Sequence, residues 1–66
     1  MEITINGNER QVARDISLLE LLDQMQINRQ QVAVERNGEL VPREAHADCV
    51  LAVGDRLEIV TLVGGG

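Results

Sequence analysis

Apolar and polar residues alternate at the start of the chain and predict a strand at residues 2–6. Ile3 and Ile5 share one face of that strand, the pattern of a strand with one buried side. Turn-forming residues follow at Asn6-Gly7-Asn8, and residues 9–13 can return as a second strand. We therefore expect an opening β-hairpin.

The period then changes to that of a helix. Ser17 and Glu20 fit a capping box, in which each side chain accepts from the backbone N–H of the other residue. Ile16 and Leu21 can form a hydrophobic staple at the same end. An apolar stripe follows at helical spacing: Leu18, Leu21, Leu22 and Met25. These features predict a helix that starts after Ser17 and ends at residues 26–28. Its stripe is too short for a coiled coil and should face the core.

A second hairpin is predicted after the helix. Residues 32–36 form the third strand, and Asn37-Gly38 suits a type I′ turn, in which both central residues need positive φ. A two-residue loop places Arg36 opposite Glu39, where the two could form an ion pair. Pro42 has no backbone donor and should end the fourth strand.

The last strand is predicted at residues 57–62, after a short helical turn at 43–48, extended chain at 49–53 and a turn at Gly54-Asp55. If Glu58 faces water, Leu57 and Ile59 face the core. Val60 and Leu62 then lie on the Glu58 face, away from the helix. Exposed apolar residues beside the chain end would form a docking patch. The alternative is that they are ordinary scattered surface residues.

One helix and one small mixed sheet make a two-layer α+β fold. With 66 residues and a mass of 7.3 kDa, the chain has room for a single domain that buries about 60% of its unfolded surface. We predict that residues 1–62 form this domain and that residues 63–66 form a flexible C-terminal tail.

Charge and composition narrow the possible partners. The chain has six arginines, no lysine, eleven acidic residues and no aromatic residue, with a net charge of -5. It therefore suits neither phosphate backbones nor base stacking, which argues against nucleic acid. A partner with a basic docking surface fits better. The longest apolar run, residues 50–53, is far too short to span a membrane, and no signal peptide is evident, so we expect a cytoplasmic protein.

The predicted domain has few residues suited to catalysis or metal binding. Phosphate-binding and zinc motifs are absent from the sequence, and we predict no metal site and no catalytic residue. His46 lies in a polar stretch and is expected to be solvated and without a role. Cys49, between Asp48 and Val50, is expected to be a buried or inert thiol.

The C-terminal end is more informative, because three glycines follow the last strand. Without a Cβ, Gly64 and Gly65 could enter a narrow channel, and the three residues extended would reach about 10 Å. The Gly66 carboxylate is a poor electrophile, but activation by a partner, for example as an anhydride with AMP, would make it an acyl donor. The alternative is a frayed end without function.

The whole chain resembles the ubiquitin-like sulfur carriers of thiamine biosynthesis, the ThiS proteins. Several segments carry the resemblance in order: Ile3–Gly7, Ser17–Leu22, Val34–Gly38, Val41–Arg43, Val53–Val60 and Val63–Gly66. Each signal is common by itself, whereas their order, the length and the Gly-Gly end together are much more specific.

The resemblance implies a β-grasp (ubiquitin-like) fold and a carrier that is not an enzyme. An adenylating enzyme would use ATP to activate the carboxylate of Gly66, so the chain itself would need no cofactor. Persulfide sulfur, drawn from a cysteine desulfurase, would replace AMP to leave a thiocarboxylate, and thiazole synthase would receive the sulfur. Gly64 and Gly65 would let the chain end enter a narrow channel of the partner enzyme. The docking role of Val60 and Leu62 comes from the strand pattern and not from the resemblance.

Three alternatives stay open. The small sulfur-carrier subunit of molybdopterin synthase is similar in fold and chemistry, although the short chain and the lack of Phe near the tail favour the thiamine pathway. A protein modifier would use the same activated tail to form isopeptide bonds, and would be revealed by covalent conjugates. A noncovalent interaction module would keep its activity without Gly65 and Gly66.

Overall fold

The computed structural model describes residues 1–62 and builds them into one five-stranded sheet and one main helix. The elements are β1 (Glu2–Ile5), β2 (Asn8–Gln11), α1 (Leu18–Gln24), β3 (Val32–Arg36), β4 (Glu39–Val41) and β5 (Arg56–Thr61), with 3₁₀ segments at Arg29–Gln31 and Arg43–Asp48. The sheet order is β2-β1-β5-β3-β4. β1 and β5 are parallel at its centre, and the other pairs are antiparallel. The predicted α+β arrangement is confirmed.

The core lies between α1 and one face of the sheet, called here the inner face. Leu18, Leu21 and Leu22 of the helix are fully buried, each contributing on the order of 2 kcal/mol through burial. The remaining core residues are also aliphatic: Ile3, Ile5, Val12, Ile16, Val32, Val34, Leu51 and Leu57. A small aliphatic core is therefore sufficient to join one helix to five short strands.

The start of the helix follows the predicted capping box. The Glu20 backbone N–H donates to the Ser17 hydroxyl at 3.1 Å, and the Ser17 N–H donates to the Glu20 carboxylate at 2.9 Å. The bond from the Ser17 backbone N–H, with a smaller contribution from the Ser17 side chain, holds the pKa of Glu20 below its usual value. The helix ends at Gln24, earlier than predicted, because Gln26 takes a φ of 58° in the left-handed region and turns the chain out of the helix.

Both hairpin turns have the expected chemistry. Asn6 and Gly7 have φ values of 49° and 82°, and Asn37 and Gly38 have values of 51° and 86°, as a type I′ turn requires. Arg36 lies opposite Glu39, which confirms the predicted register. The first hairpin is shorter than expected, since its second strand ends at Gln11.

Candidate functional site

The C-terminal strand β5 lies at the middle of the sheet, between β1 and β3. After it, the Leu62 N–H donates to the Gln31 carbonyl oxygen at 2.8 Å, so the chain is still anchored at its last described residue. The predicted tail, with Gly64, Gly65 and the reactive Gly66, lies outside the described residues. The boundary between the domain and the tail therefore stays a prediction.

The predicted docking residues lie on the face of the sheet opposite the helix, called here the outer face. Leu57 is 1% exposed on the inner face, whereas the Val60 side chain is 57% exposed and that of Leu62 is 48% exposed. Alternation along β5 therefore assigned the faces correctly. The docking role itself stays a prediction.

Leu40 enlarges this apolar surface and was missed by the sequence analysis. It is 65% exposed and shares the outer face, because it lies opposite Glu35, which in turn lies opposite Glu58 of β5. A three-residue strand is too short for its alternation to show which side is buried. Leu40, Val60 and Leu62 together are called here the apolar patch.

A groove of about 320 Å³ opens beside the start of the tail. Leu40 and Leu62 line it together with Val41 and Arg43. The Arg43 guanidinium donates to the carbonyl oxygens of Arg29 and Gln30 at 3.3 and 3.4 Å, which ties the second 3₁₀ segment to the chain before β3. The groove continues the apolar patch around the end of the sheet.

Asp55 holds the start of β5 in place. Its carboxylate accepts from the Ala52 backbone at 2.8 Å, from the Asn37 amide at 3.1 Å and from the Arg36 guanidinium at 2.8 Å. Burial acts to raise the pKa of Asp55. The bonds from Ala52 and Asn37, together with the bonds and charge of Arg36, outweigh burial and hold this pKa below its ordinary value. The loop before β5 is thereby locked to the β3–β4 turn.

The predicted ion pair of Arg36 with Glu39 is wrong. Arg36 pairs with Asp55, 19 residues further along the chain, which presents a buried carboxylate already oriented by two other donors. Nε and Nη2 of Arg36 both lie 2.8 Å from Oδ2 of Asp55, and hydrogen bonds between ionised groups are stronger than those between neutral groups.

The expectation of a solvated His46 is also wrong. The side chain is 1% exposed, and its Nε2 lies 3.2 Å from the Val41 carbonyl oxygen. Because that oxygen can only accept, Nε2 carries the hydrogen, and the buried Nδ1 has no partner within the described residues. The second 3₁₀ segment turns the ring inward. The polar residues around His46 in the sequence gave no sign of this burial.

Cys49 is half-buried and lies beside Arg36, whose Nη1 donates to Sγ at 3.6 Å. The residues next to Cys49 in the sequence gave no sign that the Arg36 guanidinium lies beside it. Among residues 1–62, no group of three or more potential metal ligands comes together. Within the same residues, no helix is both long and apolar enough to cross a membrane.

A mixed sheet with a parallel central pair and one helix across its inner face define a β-grasp domain. The crystal structure of a thiamine biosynthesis protein (ThiS) from Geobacter metallireducens is similar over 100% of both chains, with a TM-score of 0.86 and 35% identity. The ThiS family model matches residues 3–66. The chain belongs to the ThiS family.

Two relatives add to this result. The chain is 34% identical to the sulfur carrier protein ThiS of Bacillus subtilis (strain 168), covering 97% of this chain and 98% of that protein. It is 41% identical over its full length to part of a thiazole synthase from Paramagnetospirillum magneticum. In that case the chain spans only 20% of the relative's length.

Proposed function

We propose that this chain is a sulfur carrier of thiamine biosynthesis and that the sulfur is carried on the carboxyl group of Gly66. The observation that carries the proposal is the position of β5, a central strand whose chain is still hydrogen-bonded to Gln31 at Leu62, four residues before Gly66. Four residues separate Leu62 from the end of Gly66, a reach of about 13 Å when extended. A partner could therefore enclose the terminus without unfolding the domain.

The chemistry has two stages and takes place on partner enzymes. A carboxylate oxygen of Gly66 attacks the α-phosphorus of ATP, and pyrophosphate leaves to form the acyl-adenylate. A protein persulfide, ultimately supplied by a cysteine desulfurase, attacks the acyl carbon and expels AMP. A thiol then reduces the resulting acyl disulfide and leaves the thiocarboxylate. ATP binds to the adenylating enzyme, and this chain serves as a co-substrate.

Glycine at the end of the chain suits these steps. Gly64 and Gly65 carry no side chain that would obstruct a narrow channel, and Gly66 offers little hindrance to the attacking sulfur. Val60 and Leu62, joined by Leu40, would contact the adenylating enzyme. Their burial against the enzyme would stabilise the complex by removing apolar surface from water.

The thiazole pathway is the proposed destination of the sulfur. The similarity to part of a thiazole synthase supports this pathway over molybdopterin synthesis and over protein modification. Thiazole synthase is accordingly the proposed acceptor. The cytoplasmic location stays a prediction.

The test is reconstitution with the adenylating enzyme, ATP, a persulfide donor and a thiol. We expect intact mass and fragmentation to show sulfur replacing oxygen at Gly66. A variant that lacks Gly66 should fold normally and acquire no sulfur at its new terminus. An unmodified wild-type chain, with the enzyme shown to be active on another carrier, would contradict the proposal.

A further inference from the structure

Two glutamates of like charge lie directly opposite each other on the outer face. Glu35 of β3 and Glu58 of β5 are register partners, and both are exposed. Side chains so placed have Cβ atoms about 5 Å apart, and like charges in this position destabilise a sheet. The pair lies at the centre of the sheet. A neutral or positively charged residue at either position would make the fold more stable.

Among residues 1–62, no cation lies within ion-pair distance of either carboxylate, and the only ion pair joins Arg36 to Asp55. The outer face of the strands carries one cation, Arg56, which lies two residues before Glu58 on β5 and beside Thr4 of β1. Four acidic side chains share this face: Glu2, Glu9, Glu35 and Glu58. The outer face is therefore strongly acidic as well as partly apolar.

The other two acids of this face also repel each other. A shared hydrogen bond with Glu9 and the charge of Glu9 raise the pKa of Glu2. That pair lies near the sheet edge, on β1 and β2, and the Gln11 amide donates to Glu2 at 3.3 Å. The pair of Glu35 and Glu58 has no such neighbouring donor among the described residues.

The apolar patch surrounds the central pair on two sides. Leu40 lies next to Glu35 on β4, and Val60 follows Glu58 by two residues toward the tail, beside Ala33. A partner that covers the apolar patch would bring its own side chains next to the two carboxylates and would exclude water around them. Charge pairs gain strength when water is excluded around them.

We propose that Glu35 and Glu58 together receive one arginine or lysine side chain of the adenylating enzyme, while Leu40 and Val60 pack against its apolar surroundings. The inference rests on the proposed function and names the chemistry of the partner's surface. A second copy of this chain is a poor occupant, because it would bring further acidic residues against the pair. Nucleic acid is excluded on the same ground.

This assignment predicts opposite effects on folding and on binding. Removing the like charges relieves repulsion in the free domain and also removes the group that the partner recognises. A purely structural role would lower stability and binding together. An unused surface pair would leave binding unchanged.

The experiment compares two double variants that each remove two negative charges. E35Q/E58Q changes the proposed site, and D15N/D23N changes two exposed aspartates outside the outer face. Affinity for the adenylating enzyme is measured by calorimetry at several salt concentrations, and thermal unfolding is measured on the free chains. We expect E35Q/E58Q to unfold at a higher temperature, to bind about tenfold more weakly and to show a flatter salt dependence. The control should bind within about twofold of wild type.

Equal weakening in both variants would mean that only overall charge matters and would overturn the inference, as would unchanged binding of E35Q/E58Q. Thiocarboxylate formation on the wild type is followed in parallel. If it proceeds while E35Q/E58Q binds normally, the inference fails and the proposed function stands. If the wild type binds through this pair but never acquires sulfur, the docking site stands and the proposed function fails. A wild type that does not bind the enzyme overturns both.

Discussion

The Asn6 side chain binds both backbone polar groups of Ile59, which lies 53 residues further along the chain. Its Oδ1 accepts from the Ile59 N–H at 2.8 Å, and its Nδ2 donates to the Ile59 carbonyl oxygen at 3.1 Å. The Asn6 backbone N–H also donates to the Leu57 oxygen at 2.9 Å. The amide thus continues the parallel pairing of β1 and β5 where β1 has already turned away. It holds β5 in register just before the tail.

Replacing Asn6 with alanine should destabilise the domain by about 2–3 kcal/mol. Two hydrogen bonds are lost, each contributing about 1 kcal/mol, and alanine is strained at the φ of 49° found there. Asn6→Gly is the matched variant, because it loses the same bonds without the strain, and should cost less. Urea unfolding measures both. Wild-type stability in Asn6→Gly would show that the bonds to Ile59 contribute nothing.

The stability of the domain should fall in acid partly because of Asp55. A carboxyl group whose pKa is depressed in the folded state stabilises the fold above its unfolded pKa, about 3.9. This contribution is lost as the pH falls through the folded value. We expect Asp55→Asn to be less stable at pH 7 by roughly 2 kcal/mol, since the Arg36 charge loses its partner. The variant should also change less with pH below about 4.

Thermal unfolding of the wild type and Asp55→Asn between pH 2.5 and 7 tests this expectation. The difference in stability should narrow as the pH falls. Parallel curves would mean that another carboxyl group causes the acid sensitivity. Glu39→Gln is the control, because this carboxylate lies opposite Arg36 without pairing to it.

His46→Ala should cost about 2–3 kcal/mol, because it removes a fully buried ring and leaves a cavity beneath the second 3₁₀ segment. His46→Leu keeps most of the volume. It loses the bond to Val41 but also removes the unpartnered Nδ1, so it should cost less than His46→Ala. Glu44→Ala, an exposed change in the same segment, should lie within about 0.5 kcal/mol of wild type. If chemical unfolding gives His46→Ala and Glu44→Ala the same free energy of unfolding, the ring does not support the core.

Val60→Asp should weaken binding to the adenylating enzyme at least about tenfold, because the change places a charge inside a desolvated contact. The free domain should unfold within a few degrees of wild type, since this side chain is 57% exposed. Val53→Asp makes the same substitution at a valine that is 73% exposed, away from the apolar patch, and should bind normally. Equal binding by both variants in calorimetry would remove Val60 from the docking surface.

Local patterns were sufficient for most of the fold. The Ser17–Glu20 cap, the two Asn-Gly turns and the strand alternation each depend on residues within a few positions of one another. They therefore predicted the elements, the face of Val60 and Leu62, and, through their order, the resemblance to the family. Leu40 was missed because its strand has three residues. The tail chemistry at Gly66 stays a prediction, since it lies outside the described residues.

The sequence by itself determined which segments become helix and strand and which family the chain resembles, because capping, turns and periodicity are local. Only the tertiary structure decided that Arg36 pairs with Asp55, that His46 is buried, and that Glu35 meets Glu58. The last contact depends on β5 lying between β1 and β3. That order is set by burying one apolar face of the whole sheet against α1, which brings distant residues together without any signal in the sequence beside them.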